Sequence, residues 1–148
     1  DATTLQVCCV EKSGLSNVVP AASGIIIDIP VGPEVVMGST RLKSGTAQKM
    51  VCNMLSTGAM IRLGKVYENV MVDLQLSNRK LEERARRIIM MFAEISYEAA
   101  GRLLEQADHH VKTALVMAVS GASLSGAETA LTRHNGFIRP ALQALSGR

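Results

Sequence analysis

The chain has 148 residues, 47% of them apolar and 20% charged, which is typical of a globular protein with one sizeable core. Its net charge is only +3, and the cations between Arg79 and Arg87 are interleaved with glutamates, as on a solvated helix face. Two phenylalanines, two tyrosines and no tryptophan offer few stacking surfaces for bases, which argues against nucleic-acid binding. We find no secretory signal and no apolar run of about 18 residues, so we expect a cytoplasmic protein that does not cross a membrane.

The cysteines and histidines lack the spacing of a metal or catalytic site. No C-x-x-C pair occurs, and His109 and His110 are adjacent in the chain while His134 is distant from them. We therefore expect buried, reduced thiols, histidines in turns or on the surface, and no metal ion. The residues concerned are Cys8, Cys9, Cys52, His109, His110 and His134.

The first part of the chain predicts two strands. Leu5–Val10 is apolar, Gly24–Ile29 is apolar and is closed by Pro30, and between them we expect a loop over residues 11–17 and a short helix or turn over residues 17–23. Adjacent apolar strands with helical connections indicate a parallel sheet, but doubly wound sheets have more strands. The segment thus looks like the end of a larger α/β domain, and a start at Asp1 without Met suggests a processed or truncated chain.

A loop and a long helix follow, and everything after the second strand is predicted to be helical. From Thr46 onward apolar residues recur at helical spacing, which predicts a helix that is buried on most sides and begins near Ser44. The preceding loop, residues 32–45, is rich in Gly, Ser and Thr and carries two cations. Free amides and the positive dipole at a helix N-terminus bind phosphate or sugar hydroxyls. A well-capped strand-to-helix connection without any ligand explains the same residues.

The C-terminal part contains an internal repeat. With a shift of 27 residues, Ser96 aligns with Ser123 and Asp108 with Asn135, and the apolar positions coincide as well. Each copy predicts a helix, a tight turn and a second helix, with His109 and Gly136 in the turns as left-handed residues. Two hairpins of this size need each other, or the α/β part, to bury a core.

Five motifs resemble one family when taken together. The stretch Gly32–Thr46 has the form G-P-E-x-x-x-G-S-T-R-x-K-x-G-T, and Asn53–Gly58, Ile61–Tyr67, Asn69–Leu74 and Gly136–Arg139 follow it in order. This series resembles the N-acetylmuramic acid 6-phosphate etherases and the related glucokinase regulatory protein, which are built on the sugar isomerase (SIS) domain. One departure is Met37, where the family pattern has a small or hydroxyl residue.

The resemblance implies a carbon-oxygen lyase of peptidoglycan recycling. Such an enzyme removes the C2 proton of N-acetylmuramic acid 6-phosphate, expels D-lactate from C3 and adds water to give N-acetylglucosamine 6-phosphate. It requires no organic cofactor or metal. The family's acid and base glutamates belong to an earlier half without matching positions here, so the resemblance implies that these 148 residues alone are inactive and assigns no catalytic pair.

The resemblance also implies a substrate site on the loop between the second strand and the long helix. It assigns backbone groups of Met37 and Gly38 and the hydroxyls of Ser39 and Thr40 to the sugar pocket. Charged side chains complete the predicted set of substrate-binding residues: Glu34, Arg41 and Lys43.

These expectations give a three-part organisation. Residues 1–64 are the C-terminal part of a SIS-type doubly wound α/β domain, 65–95 a connecting segment and helix, and 96–148 a helical subdomain with a duplicated hairpin that resembles ubiquitin-associated modules. We expect a homodimer that binds sugar phosphate. The alternatives are a non-catalytic sugar-phosphate-binding regulator of the glucokinase regulatory protein type and a helical dimerisation module of a degraded enzyme.

Overall fold

The computed structural model describes residues 4–11 and 24–147. The chain divides into two compact units, Asp1–Gly58 and Ala59–Arg148. Within the described ranges it is mixed α/β, with six helices, a small parallel sheet and a short antiparallel pair of strands. The predicted three-part division stays a prediction.

The parallel sheet of the first unit consists of β1, Thr4–Cys8, and β2, Gly24–Asp28. The strands are in register from Thr4 opposite Gly24 to Cys8 opposite Asp28. Consecutive β-branched residues in β2 favour this extended conformation. Both predicted strands and their parallel pairing are confirmed, although each strand ends one or two residues earlier than expected. The loop and the short helix or turn predicted between them lie outside the described residues, except for Glu11.

The long helix α1, Lys43–Arg62, begins as predicted but is not buried. Met50 and Met54 are 57% and 61% exposed, and Val51 is the buried residue of the helix. The prediction that most sides of this helix are covered is therefore wrong for this chain. Two short strands and a loop, which are the remaining described parts of the first unit, present too little apolar surface to cover a helix of 20 residues.

The expectation that everything after β2 is helical is also wrong. Strands β3, Val66–Tyr67, and β4, Val70–Met71, form an antiparallel hairpin. Its turn contains Glu68, which has a left-handed backbone with φ of 52°. The neighbouring Asn69 is a residue type that turns favour, and β-branched and aromatic residues flank the turn.

The second unit has one core, built by five further helices. They are α2, Arg79–Ala93; α3, Tyr97–Gln106; α4, Val111–Ser120; α5, Leu124–Arg133; and α6, Ile138–Leu145. Helix α4 is central and contacts the other four helices. Every residue from Val111 to Met117 is therefore buried. In α2, which carries the charged run between Arg79 and Arg87, the residues Ala85, Ile88 and Ile89 are buried.

Helices α3–α4 and α5–α6 follow the same local course 27 residues apart. Ser96 and Ser123 each accept a hydrogen bond from an amide three residues later, at 3.2 Å, and so cap α3 and α5. The turns inside the two hairpins have left-handed residues at equivalent positions, with φ of 60° at His109 and 77° at Gly136. The turn residues predicted from the repeat are confirmed.

Among the described residues, no single helix is long and apolar enough to cross a membrane, and only α4 and α5 together reach that length and hydropathy, as a pair bent by 111°.

Candidate functional site

The loop between β2 and α1 is held at its base by Glu34. The carboxylate of this residue accepts hydrogen bonds from the amides of Lys43 at 3.1 Å and Ser44 at 3.0 Å. These are the first amides of α1, which have no acceptor inside the helix. Glu34 thus caps the helix from nine and ten positions upstream. The two backbone hydrogen bonds, with a smaller contribution from the Lys43 charge, hold the pKa of Glu34 below its ordinary value.

Further backbone contacts close the loop on itself. The Gly45 amide donates to the Thr40 carbonyl at 2.8 Å, and the Ser39 amide donates to the Val36 carbonyl at 3.0 Å. A Cβ at Gly45 would lie 3.1 Å from the Thr40 oxygen, and Gly38 has φ of 83°, a left-handed conformation that glycine adopts without strain. The glycines of this motif therefore allow a tight, internally bonded loop.

The predicted substrate-binding residues lie together on this loop. Thr40, Arg41 and Lys43 are exposed, Ser39 is half-buried, and Met37 is 98% exposed. Among the residues that the structure describes, the side chains of Ser39, Thr40 and Arg41 make no hydrogen bond or ion pair. The loop is thus an open polar surface with an apolar tip at Met37, and Glu34 is the predicted residue whose side-chain oxygens are already bonded.

A second set of motif residues meets around Lys112 in the other unit. The Lys112 ammonium lies 3.4 Å from the Gly64 carbonyl, 3.3 Å from the Gly136 carbonyl and 3.7 Å from Asp73. Asp73 also pairs with Lys65 at 2.8 Å, and this hydrogen bond, followed by the charge of Lys112, lowers the pKa of the Asp73 carboxyl. This network was not predicted from the sequence. One signal was available, since Lys112 is the only charged residue of α4.

A concavity of about 460 Å³ lies beside Arg139, the last residue of the G-F-I-R motif. Arg139 forms an ion pair with Glu68 and stacks over the Tyr67 ring. The hydroxyls of Ser120 and Ser146 in the same wall donate to carbonyls of their own helical segments. Most polar groups of this concavity are therefore already bonded within the protein.

The described cysteines and histidines show no ligand cluster. No three His, Cys, Asp or Glu side chains among the described residues come together as metal ligands. The expected burial of the thiols is confirmed for Cys8 and is wrong for Cys52, which is exposed on the uncovered helix α1. Cys9 is half-buried, and its sulfur lies 3.6 Å from the Ser44 carbonyl. His110 shares a hydrogen bond of 2.5 Å with Thr113.

Comparison with known proteins relates both units to one class. A family model of the C-terminal lid domain of glucokinase regulatory protein matches residues 68–114. Three curated relatives carry the name N-acetylmuramic acid 6-phosphate etherase. The protein from Bacillus subtilis (strain 168) is 47% identical over 142 residues, which cover 96% of this chain and 45% of the relative. Those from Clostridioides difficile (strain 630) and Salinibacter ruber are 54% and 55% identical over 80% and 76% of this chain.

The chain spans less than half the length of these relatives, 39% and 36% in the last two cases. The chain is similar to these etherases over most of its length, and the matches support its likeness to their C-terminal half. The resemblance expected from the sequence motifs is confirmed.

Proposed function

We propose that this chain is the C-terminal half of a lyase that cleaves the D-lactyl ether of N-acetylmuramic acid 6-phosphate, yielding N-acetylglucosamine 6-phosphate and D-lactate. The main support is the 47% identity to the Bacillus subtilis etherase over 96% of the chain. The acid and base of the elimination then belong to the other half, so these 148 residues are inactive alone. This reaction serves peptidoglycan recycling in the cytoplasm and needs no metal or organic cofactor.

The first unit fits the end of a SIS-type sheet. Parallel sheets are normally covered on both faces. Ile25 and Ile26 point to opposite faces of β2 and are 56% and 39% exposed, and α1 exposes its methionines. In a complete SIS domain, the remaining strands and helices cover these surfaces, which are both faces of the sheet and the outer side of α1. On this proposal residues 1–64 end that domain and 65–95 connect it to the helical region.

In the same proposal residues 96–148 are a helical subdomain that resembles ubiquitin-associated modules, and the complete protein is a homodimer. The support for the subdomain is its short capped helices at a fixed repeat of 27 residues. We do not infer ubiquitin binding from this likeness, because a shared fold does not imply a shared function.

The β2–α1 loop is the proposed sugar-phosphate contact. Ser39 and Thr40 offer hydroxyl groups, Met37 and Gly38 offer backbone groups, and two cations, Arg41 and Lys43, attract the phosphate. The first two amides of α1 bind the Glu34 carboxylate. The phosphate is therefore placed on the loop side chains rather than on the helix end.

A second candidate function is binding of sugar phosphate without turnover. The match of residues 68–114 to the lid domain of glucokinase regulatory protein favours it. The loop chemistry suits both functions equally, because neither requires a catalytic group in this half. Turnover by the complete protein separates them.

The loop assignment is tested by replacing its two hydroxyls. In the complete protein, the double variant Ser39→Ala and Thr40→Ala removes two hydrogen bonds to the ligand, so we expect its dissociation constant for N-acetylmuramic acid 6-phosphate to rise about tenfold to a hundredfold. Titration calorimetry measures this constant. A matched double variant on α5, Ser125→Ala and Thr129→Ala, removes a serine and a threonine hydroxyl from an exposed surface and serves as the control. Unchanged affinity in the loop variant would overturn the assignment.

A further inference from the structure

Glu34 differs from the other predicted substrate-binding residues because both of its carboxylate oxygens are used inside the loop. Oε2 accepts from the Lys43 amide at 3.1 Å and Oε1 accepts from the Ser44 amide at 3.0 Å. This bidentate contact joins the start of the loop to the start of α1. The residues between these two points include the groups assigned to the substrate.

The contact is electrostatically favourable. A carboxylate at a helix N-terminus interacts with the positive end of the helix dipole and satisfies amides that otherwise lack an acceptor. In the ionised carboxylate both oxygens are acceptors, so each of them can take one of the two amide hydrogen bonds. The charged groups facing it are the adjacent Lys43 and the helix end itself, and the Cys9 thiol contacts the carbonyl of Ser44 on the same turn.

The loop depends on this contact for its shape. Between the two anchored ends the described hydrogen bonds are between backbone groups, from Ser39 to Val36 and from Gly45 to Thr40. Met37 and its neighbour Val36 are exposed and contribute no packing. Removing the carboxylate therefore releases the base of the loop. The hydroxyls of Ser39 and Thr40 are then still present, but they are no longer held in one position.

We propose that Glu34 is a positioning residue, which holds the substrate loop against the N-terminus of α1, and that it is neither the acid nor the base of the reaction nor a direct ligand of the sugar phosphate. This inference rests on the proposed function only for its effect on substrate. The geometric part, in which Glu34 fixes the first amides of α1, is independent of any activity.

Hydrogen exchange and kinetics of the complete protein test the two parts separately. Loss of a helix cap of about 1 kcal/mol corresponds to about fivefold faster exchange, and we expect this at the Lys43 and Ser44 amides in Glu34→Ala. Glu34→Gln keeps one carbonyl oxygen as acceptor and is expected to show a smaller increase. In the lactate-release assay, KM is expected to rise by a larger factor than kcat falls. Both changes are expected to be smaller in Glu34→Gln than in Glu34→Ala.

The control is Glu105→Gln, which neutralises an exposed carboxylate on α3 and is expected to change neither exchange at these amides nor kinetics. Unchanged exchange in both Glu34 variants would overturn the positioning role. So would a loss of kcat by about a hundredfold or more in both variants with KM unaltered, because that pattern belongs to an acid or base. If the unsubstituted protein releases no lactate, the proposed function fails, while faster amide exchange in the variants still supports the capping role.

Discussion

At the scale of single residues, Lys112 illustrates how a charge is accommodated in the core. Its side chain is only 11% exposed, yet the ammonium has two carbonyls and Asp73 as partners. The equivalent residue of the second repeat, Arg139, is 63% exposed and pairs with Glu68. The sequence predicts that the two positions are equivalent. It does not predict their different burial, because this depends on how the hairpin and the segment around Asp73 pack against the repeats.

The two cations should therefore differ in their contribution to stability. Lys112→Met keeps the aliphatic stem but removes the donor from the Gly64 and Gly136 carbonyls and one of the two cations beside Asp73, so we expect a loss of about 1–3 kcal/mol in the free energy of unfolding. Arg139→Met removes an exposed ion pair and is expected to cost less than about 1 kcal/mol. Urea unfolding of the two variants measures the difference. Equal losses would contradict the role given to Lys112.

At the scale of elements, the sequence predicts long and periodic features best. Strands β1 and β2 and the start of α1 follow from apolar patterns. The β3–β4 hairpin was missed because two-residue strands are too short to show a period. The burial of α1 was predicted wrongly. An apolar pattern shows that a helix has apolar surface to bury, but it does not show that this chain supplies the residues that pack on that surface.

The junction after α1 depends on a close approach of two motifs. Gly64 has φ of 67°, and a Cβ there would lie 3.3 Å from the Phe137 ring and from the Gly136 oxygen. Gly64→Ala therefore combines backbone strain of about 1–2 kcal/mol with a steric clash of about 1 kcal/mol or more. Gly121→Ala is the matched control, since Gly121 has φ of 70° with nothing within 4 Å of its Cβ. Thermal unfolding should show the larger loss for Gly64→Ala, and losses of the same size would exclude the packing contribution.

At the scale of the whole molecule, the two units differ in how far they bury their own apolar residues. The described core lies entirely in the second unit, whereas Cys8 and Val51 are the buried apolar side chains described in the first. The sequence predicted the composition of the candidate site, since the loop residues are contiguous in the chain. It did not predict that Glu34 bonds to the helix amides, because such a contact depends on the path of the loop.

Release of D-lactate from N-acetylmuramic acid 6-phosphate decides whether the complete protein is a lyase. The assay compares the complete protein, which carries the upstream half as well, with the 148-residue chain alone. We expect release by the complete protein and none by the chain alone, since the proposed acid and base lie upstream. Absence of release by the complete protein, with sugar phosphate still bound, would contradict the lyase and favour the regulator, and release by the 148 residues alone would contradict the placement of the catalytic pair.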